Sequence, residues 1–91
     1  MYKVEYKIIF TGRVQGVGFR LTACNIAKKF LVSGYVKNLR NSSVECVVGG
    51  EENHVTRFIQ NVYSVMSDNI DSINQEKHEF SNTYHGFSIH Y

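Results

Sequence analysis

The chain contains no proline, no low-complexity segment and no long run of like charge. Linkers between domains are often rich in such features, so nothing in the sequence marks a domain boundary. We therefore expect residues 1–91 to form a single domain.

Cysteines and long apolar runs are equally scarce. The two cysteines, Cys24 and Cys46, are too few for a secreted disulfide scaffold, and they lack CxxC spacing. This favours thiols in a reducing compartment, although the sequence leaves open whether the two pair. No apolar run approaches the length of about 18 residues that a membrane span needs, and "MYKVEYKIIF" lacks the core of a signal peptide. These absences predict a cytoplasmic protein with no membrane partner.

The charge balance is modest, with 10 basic and 8 acidic residues and a formal net charge of +2. A dedicated nucleic-acid-binding protein is expected to carry a strongly basic stripe, so no nucleic-acid partner is predicted. A small positive charge does suit an anionic small-molecule ligand. The 43% of hydrophobic residues is enough to form one core and argues against disorder.

The first half of the chain alternates between strand and helix patterns. Residues 2–10 place apolar side chains at every second position, which is typical of a half-buried strand. Apolar residues then repeat at helical spacing from Ala23 to Leu31, and Ser33-Gly34 is predicted to end this helix. "GYVKNL" and "SVECVV" predict two strands joined by a turn at residues 40–43.

The second half repeats the theme. Gly49-Gly50 is predicted to end the hairpin, and the apolar stripe from Val55 to Met66 predicts the clearest helix. Residues 70–80 predict a solvated edge strand, and "GFSIHY" predicts a short last strand. The resulting order is typical of an α+β fold, the ferredoxin-like βαββαβ sandwich, in which two helices cover one face of an antiparallel sheet.

The stretch "GRVQGVGFR", from Gly12 to Arg20, joins the first strand to the first helix. Gly16 and Gly18 permit positive φ, so successive N–H groups could form a concave anion site at the helix N-terminus. Arg20 could bind two oxygens of a phosphate with its planar guanidinium group. From the residues alone a plain strand-to-helix turn is the favoured interpretation, since they match neither the dinucleotide-binding pattern nor the P-loop pattern.

Together with "GYVKN" at residues 34–38, this stretch resembles the signature pair of acylphosphatases, small cytosolic enzymes that hydrolyse carboxyl-phosphate anhydrides. The resemblance covers the whole chain, including an "F-x-I" ending at Phe87-Ser88-Ile89. Two segments depart from the family pattern: "KKFLVSG" lacks a Leu-Gly step and "LRNSSVE" lacks Asp-Gly. Both departures bear on local stability and loop mobility more than on the chemistry.

The resemblance implies a role for each motif residue. Arg20 would clamp the substrate phosphate, and Asn38 would position the attacking water. The water's proton would pass to the substrate phosphate, with no covalent intermediate, no cofactor and no metal ion. The backbone N–H groups of one segment would cradle the phosphate oxygens: Gln15, Gly16, Val17, Gly18 and Phe19.

Two rival functions are disfavoured by the residues themselves. An RNA-recognition module of the same fold would carry aromatic residues on its central strands, whereas "SSVECVVGG" has none. A metal site is disfavoured because the four histidines, at positions 54, 78, 85 and 90, form no HxxxH or HxH pair.

The strongest rival is a non-catalytic phosphate- or partner-binding module, like the acylphosphatase-like domain that begins hydrogenase-maturation carbamoyltransferases. Such domains belong to long chains, whereas this chain ends eleven residues after Phe80. We therefore expect a free-standing, monomeric enzyme whose partner is a small acyl phosphate.

Overall fold

The structure, a computed structural model, describes residues 2–91, so that Met1 of the predicted single domain lies outside it. Five strands form its sheet: β1 (Lys3–Gly12), β2 (Val32–Asn38), β3 (Val44–Glu51), β4 (Ile70–Glu79) and β5 (Phe87–His90). Two helices, α1 (Phe19–Ala27) and α2 (Glu52–Met66), connect them, and a 3-10 turn at Ser67–Asn69 follows α2. The predicted element order is confirmed. Neither helix of the described chain is long and apolar enough to cross a bilayer.

The strands lie in the order β4-β1-β3-β2-β5. The first four pair antiparallel, as the ferredoxin-like fold requires, whereas β5 pairs parallel with β2 and makes the sheet mixed. The parallel direction follows from the path of residues 80–86, which cross the helix-free face of the sheet from the β4 edge. Along this path Ser81 donates a hydrogen bond to Glu5, and the ring of Tyr84 packs against Tyr35.

The core lies between the sheet and the two helices. Alternate residues of β1 and β3 are buried there, as the period of two predicts. The apolar stripe of α2 packs against them, with Val55, Phe58, Val62 and Met66 buried. Because one face of every central strand is committed to this core, the register of the sheet is strongly specified.

The predicted end of the first helix is wrong. The helix ends at Ala27, Leu31 is 76% exposed, and Ser33 and Gly34 already belong to β2. Pairing with β3 explains the early strand start, since a Cβ on Gly34 would lie 1.8 Å from the Val47 carbonyl oxygen. The glycine therefore serves a close approach between strands and not a helix end.

The second glycine pair also has a different place from the one predicted. Gly49 and Gly50 lie inside β3, where the Phe80 ring packs against Gly49. The turn before β3 lacks glycine, and Ser42 adopts the left-handed conformation there with φ 73°.

The predicted edge strand is confirmed, because β4 borders the sheet and is mostly exposed.

Candidate active site

The three glycines of "GRVQGVGFR" have different surroundings. Gly12, with φ 128°, lies at a β-bulge, where a Cβ would come within 2.4 Å of the Asn69 carbonyl oxygen. Gly16 and Gly18 both have φ 76°, and a Cβ on either would meet no protein atom within 4 Å. Packing therefore requires a glycine only at position 12. At Gly16 and Gly18 the glycine instead allows a positive φ, and the backbone there borders open space.

The backbone of this loop is rich in unpaired donors. Within residues 2–91, none of the N–H groups from Val14 to Gly18 donates to a backbone carbonyl. Gly18 directly precedes α1, a nine-residue helix whose first N–H groups lack partners in the preceding turn. The partial positive charge of the helix N-terminus adds to these donors. The segment is thus suited to a small anion.

Two buried side chains anchor the loop on the core. Val14 is fully buried, and the ring of Phe19 packs on that of Phe10 with 5.0 Å between centroids. Burial on both sides of the glycines holds the ends of the loop in place. The backbone between them is therefore preorganised, and little ordering is needed when an anion binds.

Arg20 lies in the first turn of α1 and supplies the positive charge of the site. No carboxylate among residues 2–91 forms an ion pair with it. Its guanidinium carbon lies 5.2 Å from the centroid of the Tyr91 ring, within cation–π range. The planar donors of the guanidinium group therefore remain available for an anionic ligand.

Asn38 is the last residue of β2, and β3 brings it next to the loop. Both Phe10 of β1 and Asn38 pair with Val44, one on each side of β3. The Oδ1 atom of Asn38 is buried, and it is the only buried side-chain polar atom in the described part of the chain that has no hydrogen-bond partner. An unpaired buried acceptor costs about 1–3 kcal/mol, which a bound ligand or water would recover.

A cleft of about 170 Å³ contains the residues that the sequence singled out. It is lined by residues of the loop, the first turn of α1 and the ends of β2 and β5: Val14, Gly16, Gly18, Phe19, Arg20, Leu21, Asn38 and Ile89. Arg20, Asn38 and the two open glycines thus share one concavity. Among the predicted cradle residues, Val17 and Gln15 do not line it; Val17 lies partly exposed on the loop.

The side chain of Gln15 points elsewhere. Its Nε2 atom donates to the carbonyl oxygens of Leu39 and Ser43, at 2.7 and 2.8 Å. The side-chain amide is therefore used within the protein, and only the backbone N–H of Gln15 remains for the predicted cradle. Sequence reasoning could not identify these partners, because they are 24 and 28 residues away along the chain.

Sequence reasoning also missed the apolar lining contributed by Val14, Leu21 and Ile89, and the ring of Tyr91 over Arg20. Val14 lies in the loop, outside the helical and strand patterns, and the alternation of the last strand assigns Ile89 only to one face of that strand. Tyr91 shares the alternating pattern of the last predicted strand with Phe87 and Ile89, but its side chain is 92% exposed. Only the pairing of β5 with β2 brings the last residues to this end of the sheet.

Other features of the molecule lie away from this cleft. A larger cleft of about 520 Å³ lies at the opposite end of the sheet, lined in part by Phe30, Gly49 and Phe80. Cys24 and Cys46 are both free thiols. Among residues 2–91, no group of three or more histidine, cysteine or acidic side chains is arranged to hold a metal ion.

Comparison with known proteins gives consistent results. The profile of the Acylphosphatase family matches residues 6–89. An acylphosphatase from Roseiflexus sp. (strain RS-1) is 36% identical over 83 residues, which cover 90% of this chain and 89% of that protein. The crystal structure of an acylphosphatase from Bacillus subtilis superposes with a TM-score of 0.86 at 33% identity, covering 97% of this chain and 99% of that one. T. kodakarensis HypF superposes with a TM-score of 0.81 at 33% identity, covering 98% of this chain but 12% of that one.

Proposed function

The chain is an enzyme of the acylphosphatase family, and from this premise we propose that it hydrolyses small acyl phosphates to a carboxylate and inorganic phosphate. The observation that carries the proposal is the shared cleft of Arg20, Asn38 and the open glycines Gly16 and Gly18. A dianionic phosphoryl group needs a cation and several donors in one small concavity. This cleft offers both.

The phosphoryl group lies against the backbone N–H groups of residues 15–19, and Arg20 binds two of its oxygens. Neither Gly16 nor Gly18 has a protein neighbour where a Cβ would stand, so the backbone is free to approach the ligand. These donors are positioned before the substrate binds, so they stabilise the transferring group without reorganisation.

The Asn38 carboxamide holds the attacking water, with its oxygen as the acceptor for one water hydrogen. Asn38 lines the cleft, and its buried Oδ1 has no hydrogen-bond partner among the described residues, which supports a role for this carboxamide in binding a ligand or water. The water oxygen bonds to phosphorus as the bond from phosphorus to the acyl oxygen breaks. The electron pair leaves with the carboxylate, and the water proton passes to a phosphate oxygen.

Positioning and charge stabilisation supply most of the acceleration in this mechanism. A carboxylate is a good leaving group, so no general acid is required. An asparagine cannot remove a proton near neutral pH, which is why the proton goes to the phosphate. The proposed reaction therefore needs no cofactor, no metal ion and no covalent intermediate. The enzyme is proposed to act as a monomer in the cytoplasm.

HypF is a much longer protein, of which the match covers 12%, so the alternative to test is a domain that binds phosphate or a partner without catalysis. A steady-state hydrolysis assay with a simple acyl phosphate such as acetyl phosphate, in buffer with excess chelator, separates the two. We expect turnover that is inhibited by inorganic phosphate. Phosphate binding without turnover would support the alternative, and full loss of activity on chelation would contradict the metal-free mechanism.

Replacing Arg20→Lys tests the phosphate clamp in the same assay. The point charge of lysine cannot bind two oxygens in a planar fork, so kcat/KM is expected to fall about 100-fold, as when a preorganised transition-state donor is removed. Arg57→Lys, at an exposed position of α2, is the matched control and is expected to behave like the wild type. A near-normal rate for Arg20→Lys would remove Arg20 from the site.

A further inference from the structure

Gln15 links the glycine loop to the turn that follows Asn38. One nitrogen, Nε2, lies 2.7 Å from the Leu39 carbonyl oxygen and 2.8 Å from that of Ser43. Carbonyl oxygens only accept hydrogen bonds, so the group that faces them is the NH₂ end of the side chain, and both of its hydrogens are used. The link is therefore specific to an amide donor.

The two acceptors flank the site residue closely. Leu39 directly follows Asn38, and Ser43 directly precedes Val44, the register partner of Asn38. The turn is itself well bonded, since the Leu39 N–H donates to the Ser43 carbonyl and the Ser43 N–H donates to the Asn41 side chain. Because these hydrogen bonds hold the turn in one conformation, a shift of the Leu39 and Ser43 carbonyl groups is expected to shift Asn38 as well.

No other hydrogen bond in the described chain joins residues 13–18 to residues 39–43. Besides the pairing of β1 and β2 with β3 and the packing of the core, this one side chain therefore fixes the relative position of the phosphate loop and the turn. A displacement of 1 Å between a bound group and its attacking partner can cost about 100-fold in rate. Such a link matters most where the two halves of a site come from separate elements.

We infer that Gln15 is a positioning residue, whose side-chain amide sets the distance between the phosphate loop and Asn38. This inference rests on the proposed function, since it concerns the distance between bound phosphate and the water held by Asn38. The side chain acts through Asn38 and does not contact the substrate. Gln15 thus has two roles: its backbone N–H belongs to the phosphate cradle, and its side chain positions Asn38.

The chain offers a clean test of this role. Gln15→Met keeps a similar side-chain length and removes both donors, and Gln60→Met makes the same change at an exposed position of α2. Acetyl phosphate hydrolysis gives kcat, inhibition by inorganic phosphate reports the loop, and urea unfolding confirms that each variant is folded. We expect kcat to fall about 10- to 100-fold for Gln15→Met, with phosphate inhibition largely retained and Gln60→Met unchanged.

A double-mutant cycle with Asn38→Ala distinguishes positioning from general support of the fold. If Gln15 acts through Asn38, then Gln15→Met lowers the residual rate of Asn38→Ala little further. Additive losses, or loss of phosphate inhibition in Gln15→Met alone, would overturn the inference while leaving the proposed function intact. A folded wild type without hydrolytic activity would overturn both.

Discussion

Gly12, Gly16 and Gly18 look alike in the sequence, but different forces act on each. Gly12 is small because the strand bulges against the backbone of Asn69. Gly16 and Gly18 border empty space, so protein packing does not explain them. Their positive φ and their position in the cleft wall point instead to contact between backbone and ligand.

Gly86 provides a matched control for Gly16. Both have φ 76° and no protein atom within 4 Å of the place where a Cβ would stand, but Gly86 lies outside the cleft. We expect Gly16→Ala and Gly86→Ala to lower the free energy of unfolding alike, by about 1–2 kcal/mol, because each places alanine in the left-handed region. Urea unfolding measures this cost.

Only Gly16→Ala should weaken inhibition by phosphate and lower kcat/KM, by about tenfold or more, as when a hydrogen bond to a charged group is displaced. Equal activity of the two variants would show that the loop glycine serves the backbone conformation alone.

The elements meet at the site through strand pairing. β3 lies between β1 and β2 and pairs antiparallel with both, so β1 and β2 run in the same direction. The loop after β1 and the last residue of β2 therefore lie at the same end of the sheet. β5 adds Ile89 to the cleft because it runs parallel to β2. β2 pairs with β3 in one continuous register from Val32 opposite Gly50 to Asn38 opposite Val44.

Gly34 is the position at which this pairing is most sensitive. Its missing Cβ would overlap the Val47 carbonyl oxygen at 1.8 Å, and its φ of 143° suits glycine. We expect Gly34→Ala to lower the free energy of unfolding by about 3 kcal/mol or more, because backbone strain and a steric clash add. Urea unfolding beside Gly86→Ala checks this, and an equal cost for the two would contradict the role of close strand approach.

Across the whole molecule, three groups resist ionisation: the thiols of Cys46 and Cys24 and the hydroxyl of Tyr35. Burial raises the pKa of the Cys46 thiol strongly, and the neighbouring Cys24 adds to the shift. Burial also raises the pKa of Cys24, partly offset by Lys28. Burial and the hydrogen bond to Glu45 raise the pKa of the Tyr35 hydroxyl. Each of these groups keeps its proton in the folded state to a higher pH than in the unfolded chain.

The free energy of unfolding is therefore expected to fall as the pH rises above about 8.5, the ordinary pKa of a thiol. Above that value the unfolded chain loses the Cys46 proton while the folded state retains it, a cost of about 1.4 kcal/mol per pH unit. Urea unfolding from pH 7 to 10 measures the slope. Cys46→Ala should reduce it by nearly that amount and the half-buried Cys24→Ala by less; an unchanged slope in Cys46→Ala would contradict the assignment.

Much of the fold was predictable because its signals are local. Period-two alternation in β1 and the apolar stripe of α2 predict their own elements, and these predictions are confirmed. The end of α1 was predicted wrongly, because Phe30 and Leu31 continue a helical spacing that pairing of β2 with β3 overrides. Competition between a local pattern and a distant strand partner cannot be judged from the pattern alone.

The chain itself determines the glycine loop and Arg20 as one unit, since a single short run of sequence carries the flexible backbone, the helix start and the cation. Asn38 was assigned through family resemblance, and its place beside the loop depends on two strands that pair with the same residue, Val44. The Gln15 link, the Tyr91 ring over Arg20 and the parallel β5 had no signal in the sequence. Each arises from contacts between residues far apart in the chain, and such contacts form only when the whole sheet closes around its core.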